Sequence, residues 1–203
     1  MPVKVKICGV CSPEDARAAV AAGADFLGLN FHPPSPRAVE LAGARAIAAA
    51  AAGVPLVGIF VDAPRARVED VAAAVGLAAL QFHGDEPPDY CTGWAWRTIK
   101  ALHVRPGVDL AALAETYATD YLLLDAHRPG VPGGTGVRFD PAAAAGVPAA
   151  RLFVAGGLTP DTVAETVRAL RPFAVDVASG VEESPRRKDH AKIEAFIRRA
   201  KAA

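Results

Sequence analysis

Short apolar runs recur along the chain at fairly even intervals, and eight of them read as strands. They are KVKIC at 4–8, DFLGLNF at 25–31, LVGIFV at 56–61, AALQFH at 78–83, RTIKAL at 97–102, YLLLD at 121–125, RLFVAG at 151–156 and FAVDVAS at 173–179. Most are apolar at nearly every position instead of alternating, which is the pattern of strands covered on both faces. The stretches between them carry helix punctuation. Ser12-Pro13-Glu14-Asp15 supplies an N-cap, a proline at the first helical position and acids in the first turn, and Ala22-Gly23-Ala24 stops that helix. Thr159-Pro160-Asp161 repeats the device, and the segment from about 188 to 200 sets Ile193, Phe196 and Ile197 on one face. Short helices are expected over 87–93 and after Asp140. Eight βα units without a compositional break predict one domain, residues 1–203, folded as a (β/α)8 barrel. A doubly wound open sheet is the rival, because local pattern does not show closure; an eighth strand followed by an eighth helix favours the barrel.

Composition narrows the partners. Of 203 residues 52% are hydrophobic and 22% charged, and 22 basic side chains balance 22 acidic ones. Zero net charge argues against nucleic acid or a membrane surface as the main partner and leaves room for a local anion site. The opening MPVKVKICG has no apolar signal core, so a cytoplasmic protein is expected. The long apolar stretch at 46–61 is broken by Gly53 and Pro55, which suits a buried helix and strand better than a membrane span. Three cysteines make no disulfide framework. Asn30 is the sole Asn, Gln81 the sole Gln, and prolines number 17; heat adaptation and a GC-rich gene both produce that bias. Monomer and homodimer stay open.

In a barrel, active sites form at the carboxyl ends of the strands. The first run ends in Cys8-Gly9, the fourth in Gln81-Phe82-His83, the sixth in Asp125, and the eighth in Asp176 and Ala178-Ser179-Gly180. AGGL at 155–158 and ASGV at 178–181 place Gly156, Gly157, Ser179 and Gly180 where backbone amides before helix starts can hold a phosphate. A single Gly-Gly would read equally well as a turn; two such loops in adjacent units point to phosphate. Asp125 closes an apolar run, where burial favours a carboxylic acid able to give up a proton near neutrality. A strand-end cap is its structural alternative. Cys8 is a buried filler, a redox partner of Cys11, a metal ligand, or an acid-base group whose thiol is activated by positive neighbours. Arg37, after Ser35-Pro36 in a stiff loop, reads as a grip for a carboxylate or as a solvated charge, and His83 lines the pocket or satisfies a strand end.

These motifs together resemble the phosphoribosylanthranilate isomerase family of tryptophan biosynthesis: KICGV at 6–10, FHPPSPR at 31–37, VGIFVD at 57–62, QFHGDE at 81–86, LLLD at 122–125, GGTGVRFD at 133–140, AGGLTP at 155–160 and VDVASGVE at 175–182. The resemblance implies a (β/α)8 barrel and a cofactor-free, metal-free Amadori rearrangement of a small phosphosugar, N-(5-phosphoribosyl)anthranilate. It implies Cys8 as general base, Asp125 as general acid, and Arg37, His83 and Asp176 as substrate contacts. Gly156, Gly157, Ser179 and Gly180 are the implied phosphate cradle, and the glycines at 133–136 allow a loop that closes over substrate. Pro141, Ala178 and the stretch SPRRKD at 184–189 depart from the family pattern. A dithiol oxidoreductase built on Cys8 and Cys11 leaves the glycine loops unexplained. Zinc wants about four ligands, and the histidines are scattered in the sequence. A pentose-phosphate epimerase would call for paired aspartates or metal-binding histidines, and a catalytically dead regulator would not keep both Cys8 and Asp125.

Overall fold

A computed structural model of the chain describes residues 2–104, 107–126, 144 and 146–203. Eight parallel strands close on themselves: β1 (Lys4–Cys8), β2 (Phe26–Asn30), β3 (Leu56–Phe60), β4 (Ala79–Phe82), β5 (Arg97–His103), β6 (Tyr121–Asp125), β7 (Leu152–Ala155) and β8 (Ala174–Val177). Closure is direct, with Lys4, Val5, Lys6 and Ile7 of β1 in register with Ala174, Val175, Asp176 and Val177 of β8. The open-sheet rival therefore falls. Seven of the runs expected from the sequence contain one of these strands, and the fifth strand extends one residue past its run, to His103.

Register fixes which side chains face inward, because partners in a parallel ladder point to the same side of the sheet. Lys6 pairs with Phe26 and Asp176, Gly28 with Val57, Val57 with Ala79, Ile99 with Tyr121, and Leu123 with Phe153. That face forms its own apolar cluster, including Val57, Ile99, Leu123 and Phe153. At the starts of the strands the rings of Phe26, Tyr121, Phe153 and Phe173 stack and tilt together with centroids 4.7–6.4 Å apart. They plug the amino-terminal end and leave the carboxyl end for polar groups. The opposite face, with Val5, Ile7, Leu27 and Leu29 fully buried, packs on the helices.

The helices are α1 (Pro13–Ala21), α2 (Leu41–Ala50), α3 (Arg65–Val75), α4 (Leu110–Thr116), α5 (Val163–Leu170) and α6 (His190–Lys201). Ser12 caps α1 as expected, its hydroxyl accepting from the Asp15 amide at 3.1 Å. Three expectations change. Residues 87–93 form turns, not a helix: two consecutive prolines lack N–H donors, and Tyr90 and Trp94 pack their rings on Phe82 at 5.3 and 5.2 Å, covering the wall where a helix would lie. The helix after Thr159 starts only at Val163, because Thr159 and Thr162 tie the intervening residues into turns; Thr162 Oγ1 accepts from the Thr159 amide at 3.0 Å. Lys188 is not helical but belongs to a hairpin, β9 (Glu182–Ser184) with β10 (Arg187–Lys188), inserted between β8 and α6. The helix expected after Asp140, Pro141 and the 133–136 loop lie outside the described residues, except Ala144 and residues from 146 onward.

Candidate functional site

The last residues of the strands surround one cavity of about 220 Å³. Cys8, Arg37, His83, Asp125, Gly156, Gly157, Asp176, Ser179 and Gly180, every site residue expected from the sequence, line it, joined by Asn30, Ser35 and Gln81. Cys8 ends β1 and Asp125 ends β6, so thiol and carboxyl enter the cavity from separate strands.

Two buried cations flank the thiol side. Lys6 lies two residues before Cys8 on the same inward face; its Nζ donates to Asp176 Oδ1 at 2.9 Å, and its side chain is fully buried. Burial works against that ammonium, but the charges of Asp176 and Cys8 prevail and keep its pKa above the ordinary value. The second cation is Lys188, held by Ala178 O at 3.0 Å and Glu182 Oε1 at 3.1 Å. Burial is the strongest influence on it and brings its pKa down. For Cys8, burial of the sulfur acts first and the Asp176 charge second, both raising the thiol pKa above 9.0. Lys6 and Lys188 pull the other way without prevailing. The positive neighbours expected for an activated thiol are present; net activation in the free protein is not.

Arg37 crosses the end of β1. Gly9 makes that possible: its φ is +67°, and a Cβ there would stand 2.6 Å from Arg37 Cδ. The guanidinium donates twice to Glu182, Nε to Oε1 at 2.7 Å and Nη2 to Oε2 at 2.6 Å. Burial tends to raise the Glu182 carboxyl, yet the Arg37 hydrogen bond and the Lys188 charge hold it below its usual range. Two donors are spent on Glu182, which leaves the remaining guanidinium N–H groups for a ligand. Lys6, Glu182 and Lys188 are the polar residues that sequence reasoning missed. Lys6 carries a readable signal, a lysine mid-strand on the inward face of Cys8; Glu182 and Lys188 look like surface charges until the hairpin folds them under the cavity.

On the acid side, His83 Nε2 lies 3.2 Å from Asp125 Oδ2 and its Nδ1 lies 2.9 Å from Gln81 Nε2. With the amide nitrogen donating, neutral His83 carries its proton on Nε2 and gives it to Asp125. Gln81 is 1% exposed, and its Oε1 is buried without a partner among the described residues. Turning the amide over would offer Oε1 to a proton on Nδ1 and leave Nε2 as an acceptor, the arrangement that suits a protonated Asp125. His103, one residue past the run expected as the fifth strand, stands in register with Asp125.

The glycine loops meet at the far wall. A Cβ on Gly180 would lie 1.9 Å from Leu158 O, so glycine alone lets the β8 loop press against the β7 loop. Neither loop leads straight into an α-helix, contrary to expectation: turns at 159–162 follow the first, and a single 3₁₀ turn (Ser179–Val181) follows the second. Amides for an anion would come from the loops and that short turn.

Closed parallel strands with a thiol, a carboxyl and a glycine-lined wall around one cavity at their carboxyl ends define a (β/α)8-barrel enzyme site. The family model described as N-(5'phosphoribosyl)anthranilate (PRA) isomerase matches residues 5–199. A relative named N-(5'-phosphoribosyl)anthranilate isomerase from Cellvibrio japonicus is 49% identical over 95% of this chain and 91% of its own length. One of the same name from Myxococcus xanthus is 47% identical over 100% and 98%. Among solved structures, phosphoribosyl anthranilate isomerase from Thermotoga maritima superposes with a TM-score of 0.90 at 38% identity, covering 99% of this chain and 100% of that one. A structure of such an isomerase with reduced 1-(o-carboxyphenylamino)-1-deoxyribulose 5-phosphate gives 0.86 at 36% identity, with coverage of 99% and 100%. The chain belongs to the N-(5'-phosphoribosyl)anthranilate isomerase family.

Proposed function

We infer that Cys8 and Asp125 are the base and acid of this chain's reaction, the isomerisation of N-(5'-phosphoribosyl)anthranilate to 1-(2-carboxyphenylamino)-1-deoxyribulose 5-phosphate in tryptophan biosynthesis. Asp125 protonates the ribose ring oxygen as the C1–O bond breaks and the anthranilate nitrogen lone pair forms the Schiff base. The Cys8 thiolate then takes the proton from C2, giving an enolamine that tautomerises to the ketone. Acid and base must hold opposite protonation states in one cavity, and different surroundings supply that difference. His83 steadies the carboxyl, and Asp176 holds Lys6 beside the thiol. Gly156, Gly157, Ser179 and Gly180 bind the phosphate, while the donors of Arg37 not bound to Glu182 take the anthranilate carboxylate. Two anionic anchors fix the sugar between them.

The observation supporting this most strongly is the shared cavity of Cys8 and Asp125, with the glycine loops on its wall. Loss of phosphoribosylanthranilate fluorescence tests it: Cys8→Ser and Asp125→Asn should each fall by two or more orders of magnitude, on the scale of general acid-base contributions of about 10²–10⁴. Wild-type rates in both variants end the assignment. Cys11→Ser should keep most activity, which a dithiol mechanism does not allow. A cytoplasmic site of action accords with the absence, among the described residues, of any helix long and apolar enough to cross a membrane. Homodimerisation enters the reading through a dimeric relative from Thermotoga maritima, 36% identical, and sedimentation of the purified chain tests it.

A further inference from the structure

We propose that His83, His103 and Asp125 form a binding site for a divalent first-row transition metal ion of the zinc class, and that filling it takes the acid out of action. One ligand atom from each of the three residues lies within 4.8 Å of the others. The three come from the ends of consecutive strands: His83 follows β4, His103 ends β5 and Asp125 ends β6, the last two in register. Backbone positions fixed by ladder hydrogen bonds hold ligands more firmly than loops do.

The spacing suits the ion. Zinc takes nitrogen and carboxylate oxygen at about 2.0–2.2 Å in tetrahedral geometry, which separates neighbouring ligand atoms by about 3.3 Å. His83 Nε2 and Asp125 Oδ2 already stand 3.2 Å apart. The two imidazoles tilt at 53° with centroids 5.5 Å apart, so they are not stacked face to face and small ring rotations close the third corner. Two imidazoles and one carboxylate prefer zinc, copper, nickel or iron over magnesium or calcium, and two of the three ligands, His83 and Asp125, line the cavity at the strand ends.

Support behind the ligands is also in place. A histidine that binds metal through Nε2 must carry its proton on Nδ1 and give it to an acceptor. Gln81 sits 2.9 Å from His83 Nδ1, and the Oε1 of the same amide is buried with no partner among the described residues. Turned over, that amide accepts the Nδ1 proton and fixes the metal-binding tautomer. The inhibitory consequence, though not the site, rests on Asp125 being the acid.

Zinc chloride titrated calorimetrically into the whole protein, in a buffer that does not chelate, reads binding without turnover. One ion per chain is expected, with His103→Gln, a residue outside the proposed catalytic set, weakening it at least tenfold. Gln81→Met should weaken it by about 10–100-fold, the usual effect of losing a supporting hydrogen bond. Cobalt substituted for zinc should give a visible spectrum without the intense near-ultraviolet sulfur-to-metal band. In the fluorescence assay zinc should raise KM and spare kcat, since ion and substrate compete for one cavity, and magnesium should do nothing. Equal zinc affinity in wild type and both variants, a strong sulfur-to-cobalt band, or no binding of zinc at all overturns the site. Stoichiometric binding lost in His103→Gln while turnover ignores zinc upholds the site and removes Asp125 from the acid's role.

Discussion

Cys8 sits between opposing influences that can be separated one substitution at a time. Burial and Asp176 push its pKa up, and Lys6 and Lys188 push it down, leaving it above 9.0. In its proposed role as a base that must be deprotonated, it gives the free enzyme a kcat/KM that rises with pH on an alkaline limb. Asp176→Asn removes a negative neighbour, so the limb should move to lower pH; Lys188→Met removes a positive one, so it should move to higher pH. A pH series of initial rates reads both, and a limb that stays put in both variants belongs to some other group. The sequence alone brought Cys8, Arg37, His83, Asp125 and Asp176 to the cavity because each ends a strand or follows one closely. It gave no such handle on Glu182 and Lys188. Their role depends on a hairpin after the last barrel strand, and in sequence they are two charges among many in EESPRRKD.

At the scale of elements, strands were readable and their coverings less so. A strand buried on both faces has to be apolar throughout, and YLLLD or LVGIF has no other comfortable place. Whether a helix or a pair of aromatic rings covers such a strand depends on distant partners; Arg65 lies over the Trp94 ring at 3.9 Å, a contact no local window contains. The loops at the carboxyl ends depend on glycine in ways that differ from helix to loop. Gly180→Ala would set a Cβ against the Leu158 carbonyl, and overpacking of that kind costs about 1–3 kcal/mol. Because the clash parts the two loops of the proposed phosphate wall, KM should rise as well. Gly43→Ala is the contrast: it lies inside α2 with open space around the added methyl. It should stabilise by about 0.5–1 kcal/mol through helix propensity and leave KM alone. Thermal melts paired with substrate titrations separate the two, and a Gly180→Ala enzyme with wild-type Tm and KM would contradict the close approach.

For the molecule as a whole, closing the barrel joins the beginning and end of the chain through charge as well as backbone. Asp25 accepts from Lys4 Nζ at 2.9 Å and the Val5 amide at 3.0 Å, and Lys201 near the chain's end pairs with it at 3.0 Å. Burial tends to raise that carboxyl, but these partners prevail and hold it below its ordinary 3.8. Glu182, under Arg37 and Lys188, is likewise held below 4.5. A carboxyl whose folded pKa lies below its unfolded one binds protons more readily when unfolded. Its contribution to stability is therefore complete above the unfolded value and fades as pH falls through the depressed one. Tm should accordingly be insensitive to these two groups from neutrality down to about pH 5 and decline below it. Replacing each group should flatten part of that decline: Asp25→Asn the part tying β1 and α6 to β2, Glu182→Gln the part tying the hairpin to Arg37. Differential scanning calorimetry between pH 7 and pH 3 measures this directly. The partly exposed Asp25 cluster should lose its share at high ionic strength, whereas the enclosed Arg37–Glu182–Lys188 group should keep its own. Equal salt sensitivity of the two variants would mean that the hairpin does not shield its charges, and that the paired hydrogen bonds from Arg37 to Glu182 do not hold the guanidinium firmly at the cavity.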